Sequence, residues 1–184
     1  MRSVLAGLVL SLGFPASASA QLPLPPPVPP AVPPSKCTLP VHDEFDFWIG
    51  EWEVYMTAKP EQMIGASSVD KAYNNCVIRE AWKPFTMLVG ASFNTWDKHK
   101  RLWRQTWVDA DNSLVDFEGG MTGGKMILTG LWRGLFGPGK DALMRMSYAP
   151  LPGRGVRQIV ETSTDQGKTW QPAFDYTYKR RRGN

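Results

Sequence analysis

Phe45-Asp46-Phe47-Trp48-Ile49-Gly50-Glu51-Trp52-Glu53-Val54-Tyr55-Met56 is the stretch on which the fold turns. It begins as an aromatic knot and, after Gly50, becomes an alternation of apolar and polar residues. In an extended segment, Trp52, Val54 and Met56 fall on one face and Glu51, Glu53 and Tyr55 on the other. Gly50 can adopt the positive φ that a tight lead-in to a first strand needs. A strand is therefore predicted from Gly50 onward, with later strands returning to pack against it.

The same two-residue period recurs downstream. Lys59-Pro60-Glu61 reads as a turn, residues 62–73 as a weaker strand, and Asn74-Asn75 as the next turn. In residues 76–83, Cys76, Ile78, Glu80 and Trp82 share one face. Residues 86–96 read as a long strand whose small residues Gly90, Ala91 and Ser92 mark a bend or room for a ligand. After the turn at 97–100, Trp103, Gln105, Trp107 and Asp109 point one way, and residues 110–113 signal a hairpin. Strands are predicted at 114–118, 125–132, 141–148, 156–164 and 170–180, with a glycine-rich corner at 119–124. In the strand at 156–164, Arg157, Ile159 and Glu161 oppose Val156, Gln158 and Val160. About ten strands joined by short turns favour an all-β, antiparallel up-and-down β-barrel with a short helical turn before the first strand. A two-layer sandwich is the alternative.

Residues 1–20 read as a secretory signal peptide: Arg2, an apolar core at 4–14, and Ala18-Ser19-Ala20 as the cleavage site. The expected location is periplasmic or secreted, after removal following Ala20. That apolar core is too short to span ~30 Å of hydrocarbon, so no transmembrane segment is expected in the mature chain. Residues 21–35 are a proline-rich linker, extended and short of backbone donors, with recognition by a proline-binding partner as the alternative. Residues 36–180 form one domain and residues 181–184 a basic tail.

The chain carries 21 Lys and Arg against 17 Asp and Glu. Without Arg2 and the terminal Lys179, Arg180, Arg181 and Arg182 the balance is 16 against 17, so the basic excess belongs to the tail. No nucleic acid is expected as a partner, because that would need basic residues spread over the fold. The tail is a candidate contact for an anionic envelope surface. Cys37 and Cys76 are the only cysteines. In an exported chain a pair favours a disulfide, which adds ~3–4 kcal/mol in the chain-entropy view; two free thiols are the alternative. With His42 and His99 the only histidines, no metal site is expected, and no haem or other cofactor.

Gly50-Glu51-Trp52 resembles the G-x-W signature of lipocalins and other calycins. The resemblance implies that Trp52 packs across one end of a barrel, near an Arg or Lys of the last strand. Parity favours Arg180, since Trp170, Phe174, Tyr176, Tyr178 and Arg180 share a face if Pro172 introduces no bulge. A guanidinium over an indole contributes ~0.5–2 kcal/mol. The opening from Phe45 to Val54, Trp103-Arg104-Gln105-Thr106-Trp107-Val108-Asp109 and Gly167-Lys168-Thr169-Trp170 together resemble the DUF1579-like family of secreted bacterial proteins. That likeness covers residues 43–180 and implies a calycin-like barrel and export, with no reaction to transfer. Ser163-Thr164-Asp165-Gln166-Gly167-Lys168-Thr169-Trp170 resembles the Asp-box of sialidases. One copy implies a stable turn: Asp165 accepts backbone N–H bonds, Gly167 takes positive φ and Trp170 packs beneath.

Polar residues on otherwise apolar strands are the candidates for site chemistry. Glu80, Gln105, Arg157 and Glu161 are expected to meet inside a barrel, or else to be exterior charges or a structural pair. Trp82, Phe93, Trp103, Trp107 and Tyr176 are expected to line the cavity, with Glu80, Gln105 and Arg157 as polar anchors. The leading expectation is a barrel holding a small, mainly apolar or amphipathic molecule. The alternatives are an isomerase or hydrolase using Glu80 or Glu161 as general base, and a cell-envelope interaction module.

Overall fold

The computed structural model describes residues 37–181. The expected signal peptide, the proline-rich linker and residues 182–184 lie outside them. Two 3-10 turns, Pro40–Asp43 and Asp46–Trp48, precede ten strands. These are β1 (Gly50–Met56), β2 (Lys59–Ala72), β3 (Val77–Pro84), β4 (Gly90–Asp97), β5 (Leu102–Asp109), β6 (Leu114–Thr122), β7 (Lys125–Trp132), β8 (Ala142–Leu151), β9 (Gly155–Ser163) and β10 (Gln171–Arg180). Each pairs antiparallel with its neighbours in sequence, and β10 closes on β1. The up-and-down barrel predicted from the alternation is the architecture found. Closure leaves no strand edge to template further pairing.

Several boundaries differ from those predicted. Lys59 and Pro60 open β2 rather than forming a turn; a register shift beside Tyr55 lets Met56 pair with Lys59. β4 starts only at Gly90, and Phe85 to Val89 form an exposed connection. β6 runs on through Gly119 and Gly120, so the corner shrinks to Gly123 and Gly124. A register shift follows Pro172, so Trp170 does not share the inner face of Tyr176 and Tyr178. It lies outside, with the Arg145 guanidinium 4.1 Å above its ring. The turn it ends otherwise fits its motif: Asp165 accepts from Thr169 N–H at 2.9 Å and Gly167 has φ +87°. The Trp170 indole donates to the Gly167 carbonyl at 3.1 Å.

Because the strands alternate in direction, the connections fall at two ends. At one end lie the 3-10 turns and the connections 73–76, 98–101, 123–124 and 152–154. This end is plugged. Phe45 and Trp48 are fully buried, stacked at 5.0 Å, and Trp48 sits 4.8 Å from the Tyr148 ring. Lys71 pins the plug from β2, with its ammonium 2.7 Å from Asp43 and 2.8 Å from Asp46. The Trp52 indole donates to the Trp48 carbonyl at 2.8 Å, and the Arg180 guanidinium lies 4.3 Å over its ring.

Gly50 has φ +151°, and a Cβ there would fall on the Arg180 guanidinium. Lys179, counted above with a free tail, is also engaged: its ammonium lies 3.9 Å over Tyr55 and donates to the Pro60 carbonyl at 3.0 Å. Cys37 and Cys76 are bonded, with Cα atoms 5.0 Å apart, tying the segment before the plug to the start of β3. Among the described residues no helix is long and apolar enough to cross a membrane.

Two outcomes follow for stability. Gly50→Ala forces a side chain into the guanidinium's place and is expected to cost ~1–3 kcal/mol. Replacing Cys37 and Cys76 together by serine is expected to cost ~3–4 kcal/mol. Both are read as lower urea midpoints by tryptophan fluorescence; unchanged midpoints would contradict the roles given to Arg180 packing and to the cross-link.

Candidate functional site

The interior narrows to solid packing at the plug and opens toward the other end. A cavity of about 970 Å³ lies there, walled by side chains of β3, β5 to β10 and the connections between them. A smaller space of about 420 Å³ shares Thr86, Met87, Phe174 and Tyr176 as walls on the side of β1 and β2. The rim is apolar and exposed at Met87, Leu88 and Phe174. Phe85, Val89 and Phe136 carry that exposed character further round the connections at this end.

Strand parity decides which predicted residues meet. Glu80 and Trp82 of β3, Gln105 and Trp107 of β5, and Tyr176 of β10 all line the cavity. Trp103 shares their parity but sits nearer the plug, where its indole donates to Glu44 at 3.1 Å and its ring meets Phe45 edge-on. It belongs to the closed end. Phe93 is 44 % exposed, because Ser92 and Asn94 on either side take the inward positions of β4. Arg157 and Glu161 face outward for the same reason, flanking Gln158 and Val160. Arg157 grips Asp175 through two hydrogen bonds of 2.9 and 2.6 Å, and Arg145 holds Glu161 at 3.0 and 2.8 Å. The expected inward cluster of four polar residues thus reduces to Glu80 and Gln105.

Other polar residues take the vacated roles. Glu80 accepts from Ser67 Oγ at 3.0 Å and from Ser92 Oγ at 3.1 Å. Asn94 donates to Ser92 Oγ at 3.1 Å, and Gln105 Nε2 donates to Asn94 Oδ1 at 2.7 Å. A second group faces this one from β8, β9 and β10. Tyr178 donates to Gln158 Oε1 at 2.8 Å, while Gln158 Nε2 donates to the Tyr148 hydroxyl at 2.9 Å. These residues are buried, so their polar atoms need such partners. At the rim, Asp109 accepts from the Trp107 indole at 3.1 Å and from the N–H groups of Asp111 and Ser113 at 3.0 Å each. Gly90 faces the Trp107 ring so closely that a Cβ would overlap it. The small residue makes room for an indole of the fold.

Of the missed residues, Gln158 was visible as the polar member of an inward face. Ser92 was visible as one of the small residues on β4. Ser67, Asn94, Tyr148 and Tyr178 carried no signal apart from parity, which needs the strand boundaries first.

Burial drives the electrostatics. It pushes the Glu80 carboxyl up from 4.5 to about 7, against the two serine hydroxyls that pull it down. Burial raises Tyr148 and Tyr178 far above the ordinary tyrosine value, helped by the nearby Glu80 charge. Burial also raises Asp109, but the donors from Trp107, Ser113 and Asp111 outweigh it and hold that carboxyl below its usual range. Among the described residues no group of three or more His, Cys, Asp or Glu is placed to hold a metal ion. His42 is taken up by the Leu39 N–H at 3.1 Å, and neither it nor His99 lines the cavity.

A carboxyl whose folded value exceeds its unfolded value keeps its proton in the folded chain while the unfolded chain has released it. The stability that Glu80 contributes therefore falls as pH rises from 4.5 to about 7, and its loss is complete above that. For Glu80 the loss is ~3 kcal/mol. Glu80→Gln removes this titration, so the difference in melting temperature between variant and parent should move in the variant's favour across that window. Parallel pH profiles would contradict the placement of Glu80.

Compared with known proteins, the chain matches no protein-family model, and no curated protein sequence matches it significantly.

Proposed function

We propose that the barrel binds a small amphipathic molecule in its interior. The observation that carries this reading is the cavity of about 970 Å³ with a buried carboxylate and amides at its floor. Its size suits a drug-sized ligand, and mostly apolar walls with a few convergent polar groups are the usual make-up of such sites. The ligand's apolar body would lie against Trp82, Met144, Met146 and Val160, and its polar end against Glu80, Gln105 or Gln158. The apolar rim supports passage of such a molecule through the open end.

A second reading, proton abstraction by Glu80 in an isomerase or hydrolase, is favoured by one observation: a carboxyl buried in the cavity wall, where desolvation pushes it up to about 7, close to the pH at which a base is most effective. The likeness to the DUF1579-like family and to calycins belongs to the same proposal, supported by Trp52 beneath Arg180 at the closed end. Export to the periplasm or beyond is supported by the Cys37–Cys76 bond.

Native mass spectrometry of protein purified from its own envelope tests the binding reading. The expected result is a small molecule bound one to one, and its weaker retention by Met146→Trp, which narrows the cavity at one wall. Protein that carries no adduct and also fails to bind the neutral apolar dye N-phenyl-1-naphthylamine saturably would overturn it.

A further inference from the structure

The chemistry of the ligand's polar end can be read from the charges that face the cavity. Glu80 lies at the floor, and Asp109 and Asp111 at the rim. Among the described residues the one cationic side chain in the wall is Arg133, at the rim. Its side chain is 81 % exposed and directed to Asp141, 3.5 Å away. Among the described residues the cavity wall is therefore net negative, and its one cation is turned to solvent and already matched.

The floor is also built to accept. Each Glu80 oxygen receives one serine hydroxyl. A carboxylate offers about four lone-pair sites, so acceptor capacity remains for a ligand donor. Ring faces line the path to it: Trp82 and Tyr176 stack at 6.3 Å, and Trp107 is fixed at the rim by Asp109. Aromatic faces attract cations through their quadrupole. Every titratable group facing Glu80 agrees with this sign. Tyr148 and Tyr178 stay neutral because burial raises them. Ser67 and Ser92, which donate to Glu80, and Asn94 and Gln105, which extend that hydrogen-bonded group, carry no charge.

We propose that the ligand is an organic cation, a protonated primary or secondary amine on an apolar body, whose N–H groups donate to the Glu80 carboxylate. This rests on the ligand-binding reading above and narrows it. An alkyl carboxylate meets Asp109 and Asp111 at the rim and, once Glu80 is ionised, a third like charge at the floor. A quaternary ammonium lacks the N–H donors that the Glu80 oxygens can accept. The amine binds the ionised form of Glu80, so affinity rises with pH until Glu80 is fully ionised, and binding at neutral pH releases a proton from Glu80.

Octylamine, octyltrimethylammonium, octanol and octanoate, titrated calorimetrically into the purified protein, form the test. At pH 8 octylamine is expected to bind at least about tenfold more tightly than the other three. Its affinity should fall about tenfold per pH unit well below neutrality, where the free alkylamine, like a lysine side chain at ~10.4, is still protonated. Heats measured in two buffers of different ionisation enthalpy should show proton release at pH 7. In Glu80→Gln the amine should lose its advantage over octanol.

If octanol or octanoate binds as tightly as octylamine, or if octylamine binding is independent of pH in the parent protein, the amine proposal fails and the binding reading stands. If octyltrimethylammonium matches octylamine, donation by N–H groups is overturned. If none of the four probes binds, the amine proposal fails, and the co-purified adduct and the naphthylamine dye decide the binding reading separately. The pH series on the unmodified protein decides the matter even if Glu80→Gln does not fold.

Discussion

The contact between Arg180 and Trp52 joins the last strand to the first where the barrel closes. Trp52 is almost wholly buried, its indole N–H is satisfied by the Trp48 carbonyl, and its outer face is covered by a guanidinium. Gly50 is glycine because that guanidinium occupies the volume of a Cβ. The hydrogen bond from Trp52 holds the second 3-10 turn in place, and that turn carries Phe45 and Trp48 to the base of the barrel. With this end filled by large rings, any internal space must open at the other end. Everything said about the cavity depends on that asymmetry.

The interior is costly in a second way. Among the described residues no cation pairs with the buried Glu80, and a single buried carboxylate is disfavoured unless hydrogen bonds or a changed protonation state relieve it. Here both operate, through Ser67 and Ser92 and through a carboxyl raised to about 7. Exterior carboxylates show the contrasting solution: Glu161 with Arg145 and Asp175 with Arg157 are paired across neighbouring strands. The chain has the means to pair its acids and leaves the one at the cavity floor unpaired. A polar cluster of this kind adds little to folding that an apolar core would not supply better. Its placement beneath a cavity lined by rings and methionines is the strongest physical ground for a binding role.

The architecture was legible because alternation is a local signal. Trp52 and Val54, Ile78 and Glu80, Trp103 and Gln105 each keep their inward face in the folded barrel. What the sequence could not supply was which face of a strand looks inward when both carry polar and apolar residues. Arg157 and Gln158 are adjacent, both polar, and on opposite faces. Phe93 looked like a cavity residue by type, yet Ser92 and Asn94 hold the inner positions and Phe93 is left outside. Residues 85–89 show the other limit. Phe85, Met87, Leu88 and Val89 are apolar enough to read as strand, but they lie exposed in the connection at the open end. Among the described residues nothing plugs that end.

The central claim is that the barrel is filled at one end and hollow at the other. Fluorine NMR of protein labelled with 5-fluorotryptophan tests it most directly, since the chain carries 8 tryptophans distributed along its length. Assigned by single Trp→Phe variants, the signals are read with and without a small neutral paramagnetic nitroxide. Trp82 and Trp107 should broaden as the nitroxide enters the open end, while Trp48 and Trp52 remain sharp. Equal protection of Trp82, Trp48 and Trp52 would show a solid interior, and broadening of Trp48 and Trp52 would show an open base; either result would contradict the account.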